Sequence, residues 1–304
     1  MEITLKDKKQ AWLHALRLRT LPLALSSIFL ASFIAAYHGY FRWEVLLLAS
    51  LTTLLLQVLS NLANDYGDSV HGADSDNREG PIRAVQSGII RKEEMKKAMY
   101  LVASLAFVSG VSLLLVALYD HPMFLFLFLV LGILSILAAI NYTSGHNPYG
   151  YIGLGDISVF LFFGLLGVMG TYFLHAVTWN STLVFPALAL GLFSTSVLNI
   201  NNIRDIYSDQ IAGKKSLPVR IGRKNAIVYN WFLILGGNIA LLLFVLTNDG
   251  YGGLLFLLVF PLMVKNAKGV EREKKAAQLD PYLKKTALST FLCVLSFGIG
   301  LLIF

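Results

Sequence analysis

One cysteine in 304 residues, Cys293, leaves no disulfide to form and no thiolate set for a metal. Histidine is also scarce, and His71, His121, His146 and His175 have no partner at ligand spacing, so no zinc motif is present. Charge is thin: Asp, Glu, Lys and Arg together make up 14% of the chain, against 56% hydrophobic residues. With a mean hydropathy of +0.65, that composition excludes an ordinary soluble domain and describes an integral membrane protein. No small-residue cleavage site follows the first apolar run, which therefore reads as a retained first helix.

What is abundant is apolar sequence in lengths that cross about 30 Å of hydrocarbon as helices. Such segments lie at 18–38, 44–63, 97–118, 122–141, 156–176, 182–202, 226–246, 250–264 and 286–304. The sixth to ninth have the softest boundaries, because only the turn at 247–250 interrupts 226–264. Nine spans with the N-terminus inside put every Lys and Arg except Arg42 on one side of the membrane. Basic residues in short loops mark the cytoplasmic side, so the count supports nine spans independently of their boundaries. The expectation is one membrane domain over 1–304. The net charge of +7 then reflects loops near anionic headgroups and an anionic substrate, and is no argument for nucleic acid.

Within this apolar chain one polar phrase occurs twice: NLANDYGDSVHG at 61–72 and NIRDIYSDQIAG at 202–213. At a constant offset, Asn61 falls over Asn202, Asn64 over Asp205, Asp68 over Asp209 and Gly72 over Gly213. Both phrases end a predicted span on the same side. Residues four apart share a helix face, so Asn64 with Asp68, and Asp205 with Asp209, form two oxygen-bearing faces. The C-terminal end of a helix also favours a nearby cation. Together the two faces offer ligands to a hard divalent ion such as Mg2+, which is commonly held by a few carboxylates together with substrate phosphates.

Each phrase is followed by Pro-[Ile/Val]-Arg, ending at Arg83 and Arg220, with Arg78, Lys214 and Lys215 nearby. Acidic groups for a metal and basic groups for phosphate point to a diphosphate. At the ends of lipid-embedded helices this suggests a polyprenyl diphosphate whose tail stays in the bilayer, with an electron-rich nucleophile as acceptor. Asn and Asp that merely cap helix ends are the plainer reading of either phrase alone. Two phrases in register, with carboxylates beside the membrane, favour a site.

The sequence resembles the UbiA superfamily of intramembrane prenyltransferases, and within it the 1,4-dihydroxy-2-naphthoate polyprenyltransferases. The resemblance rests on NDYGDSVHGAD at 64–74, REGPIRAVQSG at 78–88, NPYGYIGLGDISVFLFFG at 147–164 and SVLNINNIRDIYSD at 196–209. It implies an all-α integral membrane fold of about nine helices around a central cavity open to lipid, in the cytoplasmic (inner) membrane, with the Asp-rich motifs at the cytoplasmic end. It implies Mg2+-dependent transfer of a polyprenyl group from its diphosphate to 1,4-dihydroxy-2-naphthoate, with loss of carbon dioxide and pyrophosphate, giving a demethylmenaquinol.

By the same resemblance Asn64, Asp68, Asp205 and Asp209 hold magnesium, and Asp65 and Asp74 belong to the motif. Arg78, Arg83 and Arg220 match basic positions near the diphosphate, with Lys214 and Lys215 as helpers. Relatives that prenylate 4-hydroxybenzoate tend to carry basic residues after a Tyr-Pro following the fourth span. Here NYTSGHNPYGYIGLGD has none, which weakens that alternative and leaves the partner of the naphthoate carboxylate open.

Three residues carry two readings each, and Arg17 one. Arg17 reads first as a headgroup anchor; Arg19, beside Thr20-Leu21-Pro22, is an anchor or the acceptor's carboxylate partner. Asp156 is an N-cap or a polar wall of the acceptor pocket that takes a phenol proton. Tyr142 is an aromatic-belt residue or a hydrogen-bond donor to phosphate or acceptor. Ion-coupled transporters also combine repeated halves with mid-chain Asn and Asp, but they hold these near the bilayer midplane. Here they stand at helix ends.

Overall fold

The computed structural model describes residues 5–71, 83–145 and 147–304, and all regular structure among them is helical. Nine helical segments there are long and apolar enough to cross a membrane, from Lys6–Tyr37 to Ala276–Ile303. The chain is an integral membrane protein. Most spans run past their apolar windows at the end that carries the Asp-rich motifs. The second is α3 (Trp43–Val70), the third α4 (Lys92–Leu118), and the seventh α10 (Leu217–Thr247) begins well before residue 226. Hydropathy finds the part that lipid requires, whereas backbone hydrogen bonding carries the helix on into polar sequence.

Two further departures bear on the site. Before the first apolar helix, α2 (Leu21–Tyr37), the polar stretch 5–16 forms its own helix, α1 (Leu5–Leu16). Ala11 and Ala15 of α1 pack with Leu59 and Leu62 of α3, and Lys8 pairs with Glu94 at 2.7 Å. The chain turns between α1 and α2 at Arg17, whose φ of 47° and ψ of 54° are left-handed, a conformation uncommon outside glycine. The fifth span is composite: α6 (Gly155–Val159), a π-helical run Phe160–Gly170, and α7 (Thr171–Ala176). Long π-helical stretches are rare and concentrate at functional sites.

Lipid tails are as apolar as leucine, so packing rather than burial from water holds such helices together. Small residues allow it. A Cβ on Gly164 would meet the Ala187 carbonyl at 2.6 Å, so the fifth span packs backbone to backbone on α8 (Val184–Arg204). The central core joins Phe193 of α8, Phe244 of α10 and Phe297 of α12 (Asp280–Ile303). The fourth span, α5 (Pro122–Asn141), packs on α3 and α4. Toward the fifth span it is bridged at its far end by Phe124 and Phe128 against Phe173, and at the motif end by the Tyr149 hydroxyl, which donates to the Ala138 carbonyl at 2.9 Å. Between these bridges lies a cleft lined by Gly132 and Ser135 on one side and Phe162 and Leu166 on the other.

Candidate functional site

The motif end of α3 is shaped by the loop that follows α5. A Cβ on Gly67 would lie 2.3 Å from the Thr143 carbonyl oxygen, so glycine lets this loop rest directly on the helix. Thr143 Oγ1 then lies 2.9 Å from Asn64 Oδ1 and donates to it, and Ser144 donates to the Ala63 carbonyl. Asn64 is thereby oriented, with a second lone pair left on its oxygen. One turn on, Asp68 is 2% exposed and receives three groups: Arg83 Nη1, Lys214 Nζ at 2.9 Å and the Tyr151 hydroxyl at 2.7 Å.

The second motif is not a copy of the first. α8 ends at Arg204, Asp205 sits at a break, and α9 (Ile206–Ile211) carries Asp209. The expected pair of equivalent helix faces is therefore realised in α3 and bent in the second phrase, although the Asp209 N–H still donates to the Asp205 carbonyl at 2.8 Å. α9 closes with a C-terminal cap in which Gly213, at φ 72°, takes the left-handed position. The Lys214 N–H returns to the Asp209 carbonyl and the Gly213 N–H to that of Gln210, the pairing of a Schellman motif. This turn folds Lys214 back over the site. Its ammonium lies 2.9 Å from Asp68, 3.7 Å from Asp209 and 4.7 Å from the centre of the Tyr151 ring. One lysine thus ties the two motifs together.

Both motifs open into one cavity of about 440 Å³. At its mouth stand Asn64, Asp68, Asp205 and Asp209 with Arg83 and Lys214; Tyr142, Tyr151 and Asp156 line the wall below. Leu113, Leu114, Phe128 and Leu174 line its apolar remainder. Burial, helped by the neighbouring Asp205 and Asp68 and opposed by Lys214, pushes the Asp209 carboxyl up to about 6. Burial likewise raises the Tyr142 phenol, with Tyr149 beside it, so Tyr142 stays protonated and available as a donor.

Among the described residues no three His, Cys, Asp or Glu side chains close into a ready-made metal cluster. The motif oxygens meet at the mouth with Lys214 between Asp68 and Asp209. Such a set suits Mg2+ that enters with phosphate oxygens to complete its shell, and Asp209, short of compensating charge, is the carboxylate most in need of a cation.

Other candidate residues stand elsewhere. Asp65 is buried and accepts from the Ala84 N–H at 3.2 Å, with Arg83 Nε 3.6 Å away; it braces the turn that carries Arg83 and does not line the cavity. Arg19 reaches Asp280 at 2.5 Å, away from the cavity, whereas Arg17 lies on the cavity wall. Lys215 is exposed, and its N–H donates to the Tyr151 carbonyl at 2.8 Å. Arg220 donates to the Ile152 carbonyl, pinning the loop before the fifth span. Arg78, Asp74 and His146 lie outside the described residues.

Sequence reasoning passed over four side chains. Tyr151 sits in the loop 147–154 and was not singled out from it. Arg204, 2% exposed, grips Asp205 with Nε on Oδ1 at 2.8 Å and Nη2 on Oδ2 at 2.7 Å. Its Nη1 reaches Asp280 at 2.7 Å, and Asp280 also holds Arg19. In sequence Arg204 is one more basic residue at a helix end, and Asp280 is an acid before a span; only their meeting gives them a role. Tyr229 of α10 lies beside Asp156, and nothing near it in sequence marks it.

The profile of the UbiA prenyltransferase family matches residues 24–286. The 1,4-dihydroxy-2-naphthoate octaprenyltransferase of Escherichia coli (strain K12) is 48% identical over 97% of this chain and 96% of its own length. A UbiA homologue from Aeropyrum pernix K1 has a similar structure, with a TM-score of 0.64 at 16% identity over 95% of this chain and 97% of that one. A homologue from Archaeoglobus fulgidus, solved with DMAPP and Mg2+ bound, gives 0.55 at 13% identity over 94% and 99%.

Proposed function

Because the chain belongs to the UbiA prenyltransferase family, we propose that it moves a polyprenyl group from polyprenyl diphosphate to 1,4-dihydroxy-2-naphthoate, releasing pyrophosphate and carbon dioxide and giving a demethylmenaquinol. The observation that carries this reading is the meeting of both Asp-rich motifs with Arg83 and Lys214 at the mouth of a cavity that is otherwise apolar. The choice of acceptor rests on the activity named for the Escherichia coli relative.

Mg2+, when bound, neutralises the departing pyrophosphate and so eases cleavage of the allylic C–O bond. Asn64 and Asp68 would hold it from one side, Asp205 and Asp209 from the other; that a homologue from Archaeoglobus fulgidus was solved with DMAPP and Mg2+ supports a metal in this family. Arg83 and Lys214, which lie on Asp68 at the cavity mouth, would hold the phosphate oxygens. Tyr142 and Tyr151 donate from the wall. The prenyl tail runs down the apolar cavity and leaves through the cleft between α5 and the fifth span.

At the acceptor, Asp156 takes a ring hydroxyl proton, which raises electron density on the ring as it attacks the allylic carbon. The resulting keto acid loses carbon dioxide and recovers its proton as the hydroquinone forms. Arg17, on the cavity wall, is the arginine that holds the acceptor carboxylate, in place of Arg19. The motif end faces the cytoplasm, a reading that the distribution of Lys and Arg supports, and residues 1–304 act as one membrane domain.

The test is pyrophosphate release by purified protein given polyprenyl diphosphate and 1,4-dihydroxy-2-naphthoate. Release should require Mg2+ and the aromatic acid, and should fall at least about a hundredfold in Asp68→Ala and in Asp209→Ala, as removal of transition-state charge stabilisation does. Near-normal release from either variant at limiting Mg2+ would sink the two-motif site.

A further inference from the structure

The eighth span ends in a helix whose two faces differ sharply. α11 (Phe260–Arg272) buries Met263, Ala267 and Val270, while Lys265, Lys268 and Arg272, at the i, i+3, i+7 spacing, share the opposite face. All three are exposed. None of them pairs with a carboxylate among the described residues, unlike Lys8 with Glu94 or Arg19 with Asp280. The turn from α11 to α12 stands at the motif end, since Asp280 reaches Arg204 there.

This basic face borders a groove of about 510 Å³ between α11 and α12, lined by the three cations and, toward the membrane, by Pro261 and Val264. Tyr282 of α12 forms its other wall. The ring lies directly on Gly269, where a Cβ would overlap Tyr282 Cε1, so glycine is what lets the wall close on the helix. The Lys285 ammonium stands 4.7 Å from the centre of the same ring, a cation–π contact that keeps a fourth charge beside the groove. Glu273, the carboxylate at its end, accepts from the Lys275 N–H at 3.1 Å.

The groove is graded along α11. Pro261 and Arg272 are eleven residues apart, ~16 Å at the helical rise, with the apolar residues at the membrane end and the cations at the outer end. Leu258 and Leu262, both exposed, continue the apolar end. A free phosphate would use only the cationic half, whereas an amphiphile with an anionic head and acyl tails matches both. Basic residues that serve only to orient a membrane protein can stand on any face of a loop; basic pockets between spans on the cytoplasmic side are a recurrent form of headgroup recognition.

We propose that this groove binds an anionic membrane phospholipid, with Lys265, Lys268 and Arg272 on the headgroup phosphate and the acyl chains along Pro261, Val264 and the exposed leucines. It is separate from the cavity of the Asp-rich motifs, with which it shares no lining residue. The proposal does not depend on the choice of acceptor.

The test is native mass spectrometry of the purified full chain after incubation with phosphatidylglycerol or phosphatidylcholine. Wild-type protein should retain phosphatidylglycerol at least about tenfold better, and Lys265→Gln/Lys268→Gln/Arg272→Gln should lose that preference, since each basic residue near an anionic surface contributes about fivefold. These positions are exposed, so the packed face of α11 stays intact. Lys6→Gln/Lys9→Gln/Lys97→Gln removes as many exposed cations and should keep phosphatidylglycerol affinity within about twofold of wild type, being outside the groove. Tyr282→Leu changes no charge and should weaken retention by roughly two- to fivefold, the weight of an exposed cation–π contact, with the melting temperature read alongside to show that the fold is kept. Equal losses in the two triple variants, or no preference for phosphatidylglycerol in the wild type, would overturn the proposal by reducing the groove to diffuse surface charge. Displacement of phosphatidylglycerol by inorganic phosphate at matched concentration would overturn it in favour of a free anion.

Discussion

Arg17 and Arg19 are two residues apart and end on opposite sides of a wall. Arg17 adopts a left-handed backbone and lies on the cavity; Arg19 pairs with Asp280 at 2.5 Å. In sequence the two are near-equivalent, and the neighbouring Thr20-Leu21-Pro22 favoured Arg19, because a single left-handed residue in front of a helix leaves no compositional trace when it is not glycine. Their variants should therefore separate. Arg17→Ala should raise the acceptor KM by roughly ten- to hundredfold, the range for a hydrogen bond to a charged group, with donor KM little changed. Arg19→Ala should leave acceptor KM within about twofold, since it removes a partly exposed contact with Asp280. Steady-state kinetics with each substrate varied in turn reads both. That the four motif residues meet was legible, because the repeated phrase at two span ends already placed them on one side, and all four line one cavity.

At the scale of elements, the spans were legible in number and order because lipid imposes a length and a polarity that composition displays. Their motif-side ends were not. α1 is polar on average, and packing against Leu59 and Leu62 makes it a helix; α10 begins with polar turns and bends at Gly222, where φ is 78°. The repeat was visible and its asymmetry was not: α3 runs unbroken through Asp68, whereas the second phrase breaks at Asp205, in the grip of Arg204. Asp280 shares that arginine with Asp205. Removing Asp280 leaves two cations, Arg204 and Arg19, facing one fewer anion, and Asp205 is then held more tightly against any incoming metal. Asp280→Ala should weaken Mn2+ binding in the presence of pyrophosphate by roughly five- to tenfold, the size of one partly screened charge contact, and Asp280→Glu should restore it. Electron paramagnetic resonance of free Mn2+ gives the affinity directly. Unchanged affinity in Asp280→Ala would reduce the chain Arg19–Asp280–Arg204–Asp205 to a structural brace.

For the whole molecule, nine spans among the described residues enclose a cavity that is charged at one end and apolar through the rest. A hydrophobic ligand with an anionic head suits that division. The central claim is that this cavity joins a polyprenyl diphosphate to a dihydroxynaphthoate and expels the carboxyl group. Its most direct test is mass analysis of products formed by the purified chain from polyprenyl diphosphate, Mg2+ and 1,4-dihydroxy-2-naphthoate supplied alongside 4-hydroxybenzoate and homogentisate. The account predicts one major product, at the mass of the prenylated naphthalenediol without its carboxyl group and absent without Mg2+. A product that keeps the carboxyl group, or prenylation of one of the benzene acids in preference to the naphthoate, would contradict it.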